Sequence, residues 1–361
     1  MNYLTSLRGI AALLVVLFHV KLYFMDSAFT RAITPMLSHG YLAVDFFLVL
    51  SGFIMAFKYH DNFRDAVCPN AADFLAKRVA RVFPLHAFVM IVYLSVPLTL
   101  YVTGREIDPN QFGAYQYFCK FLLIDLWTFD QISWKSWNVP SWTISAELLA
   151  YLFFPLVMFG FQRLHKHAVP VILGGAALLL AFNYQSRGCP TLGQCIGQLG
   201  LFRCLIEFAL GVGVYLLYRH TRGATARLFC IFTLAALAVY VALAVSPIPN
   251  YWYVPAMFAA LLYGMLGFRS FVHRFLELKA LVFLGDISYS VYLTHLLIAE
   301  VFFRVFVPAG QAVASWWLIG GYLMTSLVFS TLTYRLVEKP SRRRVYDLLT
   351  GKRTSAAATL D

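Results

Sequence analysis

About ten apolar stretches, each close to 20 residues long, dominate this sequence. A stretch of about 20 residues in α-helical form has the length that crosses the hydrocarbon core of a bilayer. Hydrocarbon offers no partner to unpaired backbone polar groups, so such a chain crosses the membrane as helices. We therefore predict an all-α, polytopic membrane protein of about ten transmembrane helices, with spans near 7–25, 40–57, 82–103, 142–162, 168–184, 199–218, 227–245, 250–268, 281–306 and 314–335.

The lysines and arginines indicate the orientation of these helices. With a cytoplasmic N-terminus, 21 of the 29 fall in inner segments and 5 in outer segments, and the others lie within helices. Positive residues accumulate on the cytoplasmic side of membrane proteins. We predict that both termini are cytoplasmic. The net charge of +12 then reflects topology and contact with anionic membrane lipid rather than nucleic acid binding.

The chain shows no linker rich in Pro, Gly or Ser that would divide it. We predict one transmembrane domain over residues 1–340 and a basic cytoplasmic tail over 341–361. The six cysteines form no C-x-x-C pair and no metal-binding spacing with histidine, so we expect no metal site. Cys189 and Cys195 bracket one outer loop, where they are either bridged or free thiols.

Ionisable side chains within the spans are few, since only 13% of the residues are charged. Each is a functional candidate because an unpaired charge in hydrocarbon is costly. At 1.5 Å per residue, we place His19 about 4–5 Å, Asp45 about 6 Å and Glu147 about 7–8 Å outside the bilayer midplane. One layer of the membrane thus holds a histidine and two carboxylates. The simpler interpretation of His19 is a histidine satisfied by a neighbouring helix.

A second group of charges lies at the inner face. Arg8 opens the first span, and Arg78 and Arg81 share one helix face ahead of the third. Arginine binds phosphate through paired hydrogen bonds, so the three favour a phosphate ligand. Alternatively, they are ordinary positive residues that flank membrane helices. The helical rise from Arg8 to His19 is about 16 Å, which is similar to the reach of a pantetheine arm.

The ninth span carries polar side chains at helical spacing. Ser288, Tyr292 and His295 share one face and Tyr289 lies beside them, so their polar groups are candidates to bind a carbonyl or an acceptor. For Ser288 and Tyr289, packing between helices is the favoured interpretation. Trp142 is either part of an aromatic belt at the interface or a surface for sugar. Arg203 with Glu207 reads as a structural i, i+4 pair.

Six motifs in this order resemble the bacterial acyltransferase-3 family, whose members modify cell-surface polysaccharides, lipids and some small molecules. They are Leu7-Arg8-Gly9-Ile10-Ala11-Ala12 with Phe18-His19, Val44-Asp45-Phe46-Phe47 through Ser51-Gly52-Phe53, Arg78-x-x-Arg81-x-x-Pro84, Ser141-Trp142-Thr143-Ile144-Ser145-Ala146-Glu147 with Tyr151 and Pro155, Leu284-Gly285-Asp286-Ile287-Ser288-Tyr289 through His295, and Val337-Glu338-Lys339-Pro340.

The resemblance implies a ten-helix fold in the bacterial inner membrane and an acyl-CoA cosubstrate. It also implies an essential histidine that matches His19 and functional arginines that match Arg8, Arg78 and Arg81. The expected partners are acyl-CoA, most simply acetyl-CoA, and an extracytoplasmic glycan or lipid-linked sugar. The sequence leaves the oligomeric state open.

Acyl transfer to a hydroxyl needs a base, for which we choose His19, and either Asp45 or Glu147 as the carboxylate that orients it. The rival route makes His19 the nucleophile of a covalent acyl-histidine. The alternative function is a transporter or flippase in which the intramembrane His, Asp and Glu form a proton relay.

Overall fold

The computed structural model describes residues 1–21, 34, 37–64, 67–102, 104, 106–128, 135–164, 168–221, 231–238, 248–266, 271–306 and 316–351. Over these residues the chain is helical and has no β-strand, as predicted. The helices are α1 (Asn2–Val20), α2 (Ala43–Tyr59), α3 (Cys68–Tyr93), α4 (Ser95–Val102), α5 (Pro109–Phe112), α6 (Ala114–Phe121), α7 (Ser141–Arg163), α8 (Ala168–Ser186), α9 (Ile196–His220), α10 (Val254–Leu266), α11 (Phe271–Leu276), α12 (Lys279–Asp286), α13 (Ser288–Phe306), α14 (Trp316–Thr333) and α15 (Lys339–Thr350). A further helical stretch covers 231–238.

Six helical segments in this part of the chain are long and apolar enough to cross a membrane. They are Asn2–Val20, Gly40–Tyr59, Asn70–Val102, Ser141–Arg163, Ala168–Ser186 and Ile196–His220. A seventh span results if α12 and α13, which meet at 65°, are counted together. The protein is therefore a multi-pass membrane protein, while the count of ten and the orientation of the termini stay predictions. The predicted span 227–245 lies largely outside the described residues.

Apolar side chains point outward from these helices, as a lipid environment requires. On α8, for example, Val171, Leu178 and Phe182 are each more than 60% exposed. A water-soluble protein rarely leaves such a continuous apolar face uncovered. The exposed faces therefore agree with helices that contact hydrocarbon.

The chain forms two compact units. The first comprises Met1–Ala43, Asp73–Ser145 and Leu276–Asp361, and the second comprises Val44–Ala72 and Ala146–Phe275. His19, His295 and the three predicted phosphate-binding arginines all belong to the first unit. Asp45 and Glu147 belong to the second.

In the first unit, glycines bring α1 and α12 into backbone contact. A Cβ atom on Gly9 would lie 2.6 Å from the backbone nitrogen of Gly285, and one on Gly285 would lie 1.9 Å from the carbonyl oxygen of Thr5. No side chain fits at either position. Small residues of this kind allow membrane helices to approach closely. This contact sets the position of α1 against the α12–α13 pair.

In the second unit, glycines likewise bring α2 and α9 into backbone contact. A Cβ atom on Gly52 would lie 1.9 Å from the carbonyl oxygen of Phe208, and one on Gly211 would lie 1.9 Å from that of Val49. The close approach of the two helices therefore requires glycine at both positions. Gly52 belongs to the second family motif, so that motif has a packing role.

The C-terminal part of the first unit is continuous helix. A π-helical turn, Tyr334–Glu338, connects α14 to α15. The predicted start of the basic tail, residue 341, falls inside α15, in which Arg342 and Tyr346 are buried. Residues 339–350 therefore continue the helical structure, and residues 352–361 lie outside the described part of the chain.

Candidate active site

His19 and His295 contact each other directly in the first unit. The Nε2 atom of His295 lies 3.2 Å from Nδ1 of His19, and the ring centroids are 4.9 Å apart. His295 is fully buried, whereas His19 is half-buried near the end of α1. The neighbour of His19 is therefore a residue that the sequence placed among the substrate-binding candidates.

Backbone carbonyls determine which ring nitrogens carry protons. Nδ1 of His19 lies 2.9 Å from the carbonyl oxygen of Val15, and Nδ1 of His295 lies 2.6 Å from that of Tyr292. A carbonyl oxygen only accepts, so each Nδ1 must be an N–H donor. In the neutral state Nε2 of His295 is then an acceptor for His19, and Nε2 of His19 retains a lone pair.

The register of two helices explains why these histidines meet. Gly9 contacts Gly285. His19, ten residues after Gly9, contacts His295, which is ten residues after Gly285. Because both pairs of contacts are spaced equally and in the same order, α1 runs in the same direction as the α12–α13 segment. The glycine contact thus aligns the histidines at the other end.

The other candidates on α13 differ in their surroundings. Tyr289 donates its hydroxyl to the carbonyl oxygen of Val82 at 2.7 Å, which is a packing contact with α3. Ser288, at the bend between α12 and α13, is 1% exposed, and its hydroxyl has no hydrogen-bond partner among the described residues. Native proteins rarely leave a buried polar atom unpaired. Ser288 is therefore the stronger candidate to contact a substrate.

Tyr292 and Trp142 lie where the start of α7 meets α13. The hydroxyls of Tyr292 and Thr143 are hydrogen bonded at 3.0 Å, and Asn138 donates to the carbonyl oxygen of Leu293 at 3.0 Å. Trp142 is 6% exposed, so its indole is part of the core of this unit. The start of α7 is thus attached to α13 within one turn of His295.

Arg8, Arg78 and Arg81 form one cluster of charges. The guanidinium of Arg81 is close enough to those of Arg8 and Arg78 to be repelled by both. Arg78 is 2% exposed, and Arg8 and Arg81 are half-buried. The structure thus brings together the three arginines that the sequence proposed as a phosphate site. Among the described residues, no group of three His, Cys, Asp or Glu is arranged to hold a metal ion.

In the second unit Asp45 forms an ion pair with Arg203. Nε of Arg203 lies 2.6 Å from Oδ1 of Asp45, and Nη2 lies 2.6 Å from Oδ2. Both side chains are at most 1% exposed. Glu207, the partner expected from the i, i+4 spacing, lies farther from Arg203, at 3.7 Å. Sequence spacing found the local partner and missed the stronger one on another helix.

The loop before α9 is held by the same arginine and by a disulfide. Cys189 and Cys195 are joined, which settles the alternative that the sequence left open. Nη1 of Arg203 donates to the carbonyl oxygen of Leu192 at 2.7 Å, and Leu192 donates its N–H to Asn250 at 2.9 Å. A structural disulfide is typical of an oxidising compartment.

Glu147 accepts hydrogen bonds from two hydroxyls of the second unit. Tyr151 donates to Oε1 at 2.6 Å, and Ser51 donates to the same oxygen. These partners, Ser51 in the second motif and Tyr151 in the fourth, were not predicted as a group. Pairing of His19 with Asp45 or Glu147 stays a prediction, because the described hydrogen bonds of the His19 ring are those to Val15 and His295.

Comparison with known proteins identifies the family. The Acyltransferase domain family, acyltransferase-3, matches residues 1–335. Acyltransferase MdmB of Streptomyces mycarofaciens is 26% identical over 392 residues, covering 99% of this chain and 94% of its own. The putative peptidoglycan O-acetyltransferase YrhL of Bacillus subtilis (strain 168) is 23% identical, covering 94% of this chain and 54% of its own.

A viral relative extends the range of similar proteins. The putative acetyltransferase ORF330 of Acidianus two-tailed virus is 26% identical, covering 86% of this chain and 87% of its own. No solved structure matches the chain. Because the family match covers residues 1–335, which include the motifs that carry His19, His295 and the arginine cluster, this chain belongs to the acyltransferase-3 family of membrane acyltransferases.

Proposed function

We propose that this protein transfers an acyl group, most simply acetyl, from cytoplasmic acyl-CoA to a hydroxyl of an extracytoplasmic glycan or glycolipid, with His19 as general base. The main support for this proposal is the hydrogen bond from Nδ1 of His19 to the carbonyl oxygen of Val15, because it leaves the lone pair of the neutral ring on Nε2. A neutral imidazole with a free lone pair is the form that a general base needs.

The donor site in this proposal is the arginine cluster. Arg8, Arg78 and Arg81 would hold the phosphates of the coenzyme by paired hydrogen bonds. Arg8 and His19 lie on one helix, α1, whose rise over the eleven residues between them is about 16 Å. A thioester anchored by its phosphates at Arg8 would therefore reach the histidine.

The chemical step uses the two proton positions in the histidine pair. Nε2 of His19 takes the proton of the acceptor hydroxyl, and the oxygen of that hydroxyl attacks the thioester carbonyl. The tetrahedral intermediate then expels the thiolate of coenzyme A, which takes the proton from Nε2 of His19 to give the free thiol and the neutral histidine. We propose the hydroxyl of Ser288 as a donor to the transient oxyanion, because it is buried and has no described partner.

His295 acts in this scheme as a positioning residue. When His19 is protonated on both nitrogens, its Nδ1–H points at the carbonyl oxygen of Val15 and at Nε2 of neutral His295. Both acceptors favour the cation that forms during the reaction. A carboxylate fills this position in many acyl-transfer sites, and here a second imidazole takes its place. Asp45 and Glu147 remain proposed catalytic carboxylates from the sequence.

The direction of transfer rests on topology. Most Lys and Arg residues fall on the side predicted to be cytoplasmic, which includes the arginine cluster. The disulfide between Cys189 and Cys195 lies in a loop predicted to be external, and its presence supports that side as the oxidising one. We propose the bacterial inner membrane as its location. The name of the Bacillus subtilis relative supports a glycan acceptor, and membership of the family favours acyl transfer over transport.

The test uses purified protein in lipid nanodiscs with acetyl-CoA labelled in the acetyl group. His19→Gln should reduce transfer to an acceptor glycan by roughly 10²–10⁴-fold, as loss of a general base does. His220→Gln, which changes an exposed histidine at the end of α9, should keep wild-type activity. Wild-type activity in His19→Gln would refute the proposal. Label that stays on His19 without acceptor would replace the general base by the acyl-histidine route.

A further inference from the structure

Glu147 is a half-buried carboxylate inside the membrane-spanning helix α7, and its described hydrogen bonds use one of its two oxygens. Ser51 of α2 and Tyr151 of α7 both donate their hydroxyls to Oε1, Tyr151 at 2.6 Å. A carboxylate oxygen has two lone pairs, so these two hydrogen bonds occupy Oε1 completely. Among the described residues no group donates to Oε2. The carboxylate therefore has one open oxygen and a fixed orientation.

The two hydroxyls that orient Glu147 are held by the same residue of α9. The ring of Tyr151 contacts that of Phe208, with centroids 6.0 Å apart. Ser51 immediately precedes Gly52, whose missing side chain lets α2 reach the backbone carbonyl of Phe208. The oxygens of the two hydroxyls lie 3.4 Å apart, so both are directed at one oxygen of the carboxylate. Packing of three helices thus fixes the carboxylate.

Glu147 lies on the face of α7 that turns away from lipid. Leu152 and Leu156 are each more than 40% exposed and mark the lipid-facing side of this helix. With about 3.6 residues per turn, Glu147 points to the opposite side, together with Phe154 and Met158. Both of these side chains are fully buried. The exposed part of Glu147 therefore faces the interior of the protein rather than hydrocarbon.

An open carboxylate oxygen inside a membrane needs a hydrogen-bond donor, because an unpaired charge there is costly. A metal ion does not fit, since in the described part of the chain no group of three His, Cys, Asp or Glu could hold one. A hydroxyl is a suitable donor to a single oxygen. The sequence places Glu147 about 7–8 Å outside the midplane, on the side from which the proposed acceptor arrives.

We propose that Glu147 binds a hydroxyl of the acceptor through Oε2, and that Ser51 and Tyr151 are positioning residues that hold the carboxylate in this orientation. This role rests on the proposed function, because the ligand is the hydroxyl-bearing acceptor of that reaction, a polyol such as a sugar. The hydrogen bond holds the acceptor and transfers no proton, since proton transfer belongs to His19. It is also a different role from that of orienting His19.

Steady-state kinetics in lipid nanodiscs separate acceptor binding from the other steps. The donor is labelled acetyl-CoA, and the acceptors are a soluble chito-oligosaccharide and water, whose reaction is hydrolysis. Tyr151→Phe and Ser51→Ala each remove one hydroxyl that orients the carboxylate, so each should raise KM for the oligosaccharide by about 10-fold. KM for acetyl-CoA and the rate of hydrolysis should stay at wild-type values.

Tyr263→Phe is the matched control, because it removes the hydroxyl of another buried tyrosine in the second unit. Tyr263 is 2% exposed and donates its hydroxyl to Thr221 at 2.9 Å. This variant should keep the wild-type KM for both substrates. Ser51→Thr retains a hydroxyl and should have an oligosaccharide KM close to that of the wild type. A circular dichroism melt checks that each variant is folded.

A double-mutant cycle tests whether Tyr151 acts through Glu147. Glu147→Leu removes the carboxylate and should raise KM for the oligosaccharide by about 10–100-fold. Tyr151→Phe in the Glu147→Leu background should cause no further change, because no carboxylate is left to orient. A further loss of about 10-fold in that background would assign Tyr151 to packing and would overturn its positioning role.

Hydrolysis distinguishes failure of this role from failure of the proposed function. If Glu147→Leu loses hydrolysis and transfer equally, Glu147 acts on the histidine, and acceptor binding is refuted while acyl transfer stands. If Glu147→Leu and Tyr151→Phe keep the wild-type KM for the oligosaccharide while His19→Gln is inactive, acceptor binding alone is refuted. If the wild type transfers no acetyl group to the oligosaccharide, both fail. Raised KM for the oligosaccharide with hydrolysis retained supports both.

Discussion

Nε2 of His295 lies 3.2 Å from Nδ1 of His19, so the proposed base of this acyltransferase is oriented by a second histidine on a parallel helix. The pair is asymmetric, because His295 gives its own Nδ1–H to the carbonyl oxygen of Tyr292. Proton placement in the pair therefore depends on two backbone carbonyls, those of Val15 and Tyr292.

The first prediction concerns the acceptor that His295 offers to His19. In His295→Gln the terminal amide oxygen can replace Nε2 as acceptor, so we expect kcat within about 10-fold of the wild type, whereas His295→Met should lose about 10²-fold. The measurement is kcat and KM for acetyl transfer, with KM for the donor unchanged in both variants. Equal losses in the two variants would show that His295 serves only to fill space.

The second prediction concerns the glycine contact that sets the register of the histidines. In Gly285→Ala the new Cβ atom would lie 1.9 Å from the carbonyl oxygen of Thr5, so α1 must move away from α12. We expect a loss of about 1–3 kcal/mol in stability together with most of the activity. Gly320→Ala on α14 is the control, since a Cβ atom there has nothing within 4 Å. Melting temperature and activity are measured together, and a Gly285→Ala variant that retains both would contradict the packing argument.

The third prediction separates structure from catalysis at Asp45. Asp45→Asn removes the closer of the two carboxylates beside the buried guanidinium of Arg203 and leaves only Glu207 at 3.7 Å, which should cost about 3–5 kcal/mol. Asp61→Asn removes the same charge from a side chain that is 86% exposed and should leave the melting temperature unchanged. If Asp45→Asn lowers kcat and leaves thermal stability intact, Asp45 has instead the catalytic role that the sequence proposed.

The fourth prediction concerns the unpaired hydroxyl of Ser288. Ser288→Ala should lower kcat by about 10²-fold if this hydroxyl stabilises the oxyanion, and it should leave stability unchanged because no hydrogen bond to a described residue is lost. Ser326 on α14 is the matched control, since its hydroxyl is also buried without a described partner. Ser326→Ala should keep full activity. Equal activity in the two variants would assign Ser288 to helix packing.

The arginines that sequence reasoning grouped share one property: they lie close together along one helix or at one predicted depth. Arg78 and Arg81 are one helical turn apart, and the positive-inside count placed Arg8 at the same level. The structure brings the three into one cluster. Sequence reasoning assigned Arg342, Arg343 and Arg344 together to the basic tail because their charge pattern is uniform, although only Arg342 is buried.

The apolar length of its segments alone determined that this chain is an all-helical, multi-pass membrane protein, because hydrocarbon permits few other backbones. Its motifs determined the family. Partners across helices were decided by the tertiary structure: the closer carboxylate of Arg203 belongs to Asp45, 158 positions away, and not to Glu207, four positions along the same helix. The same holds for His19, whose neighbour 276 positions away depends on how closely two glycines let their helices approach. Depth along a helix can be read from spacing, whereas the rotation of one helix against another is set only when side chains and glycines pack.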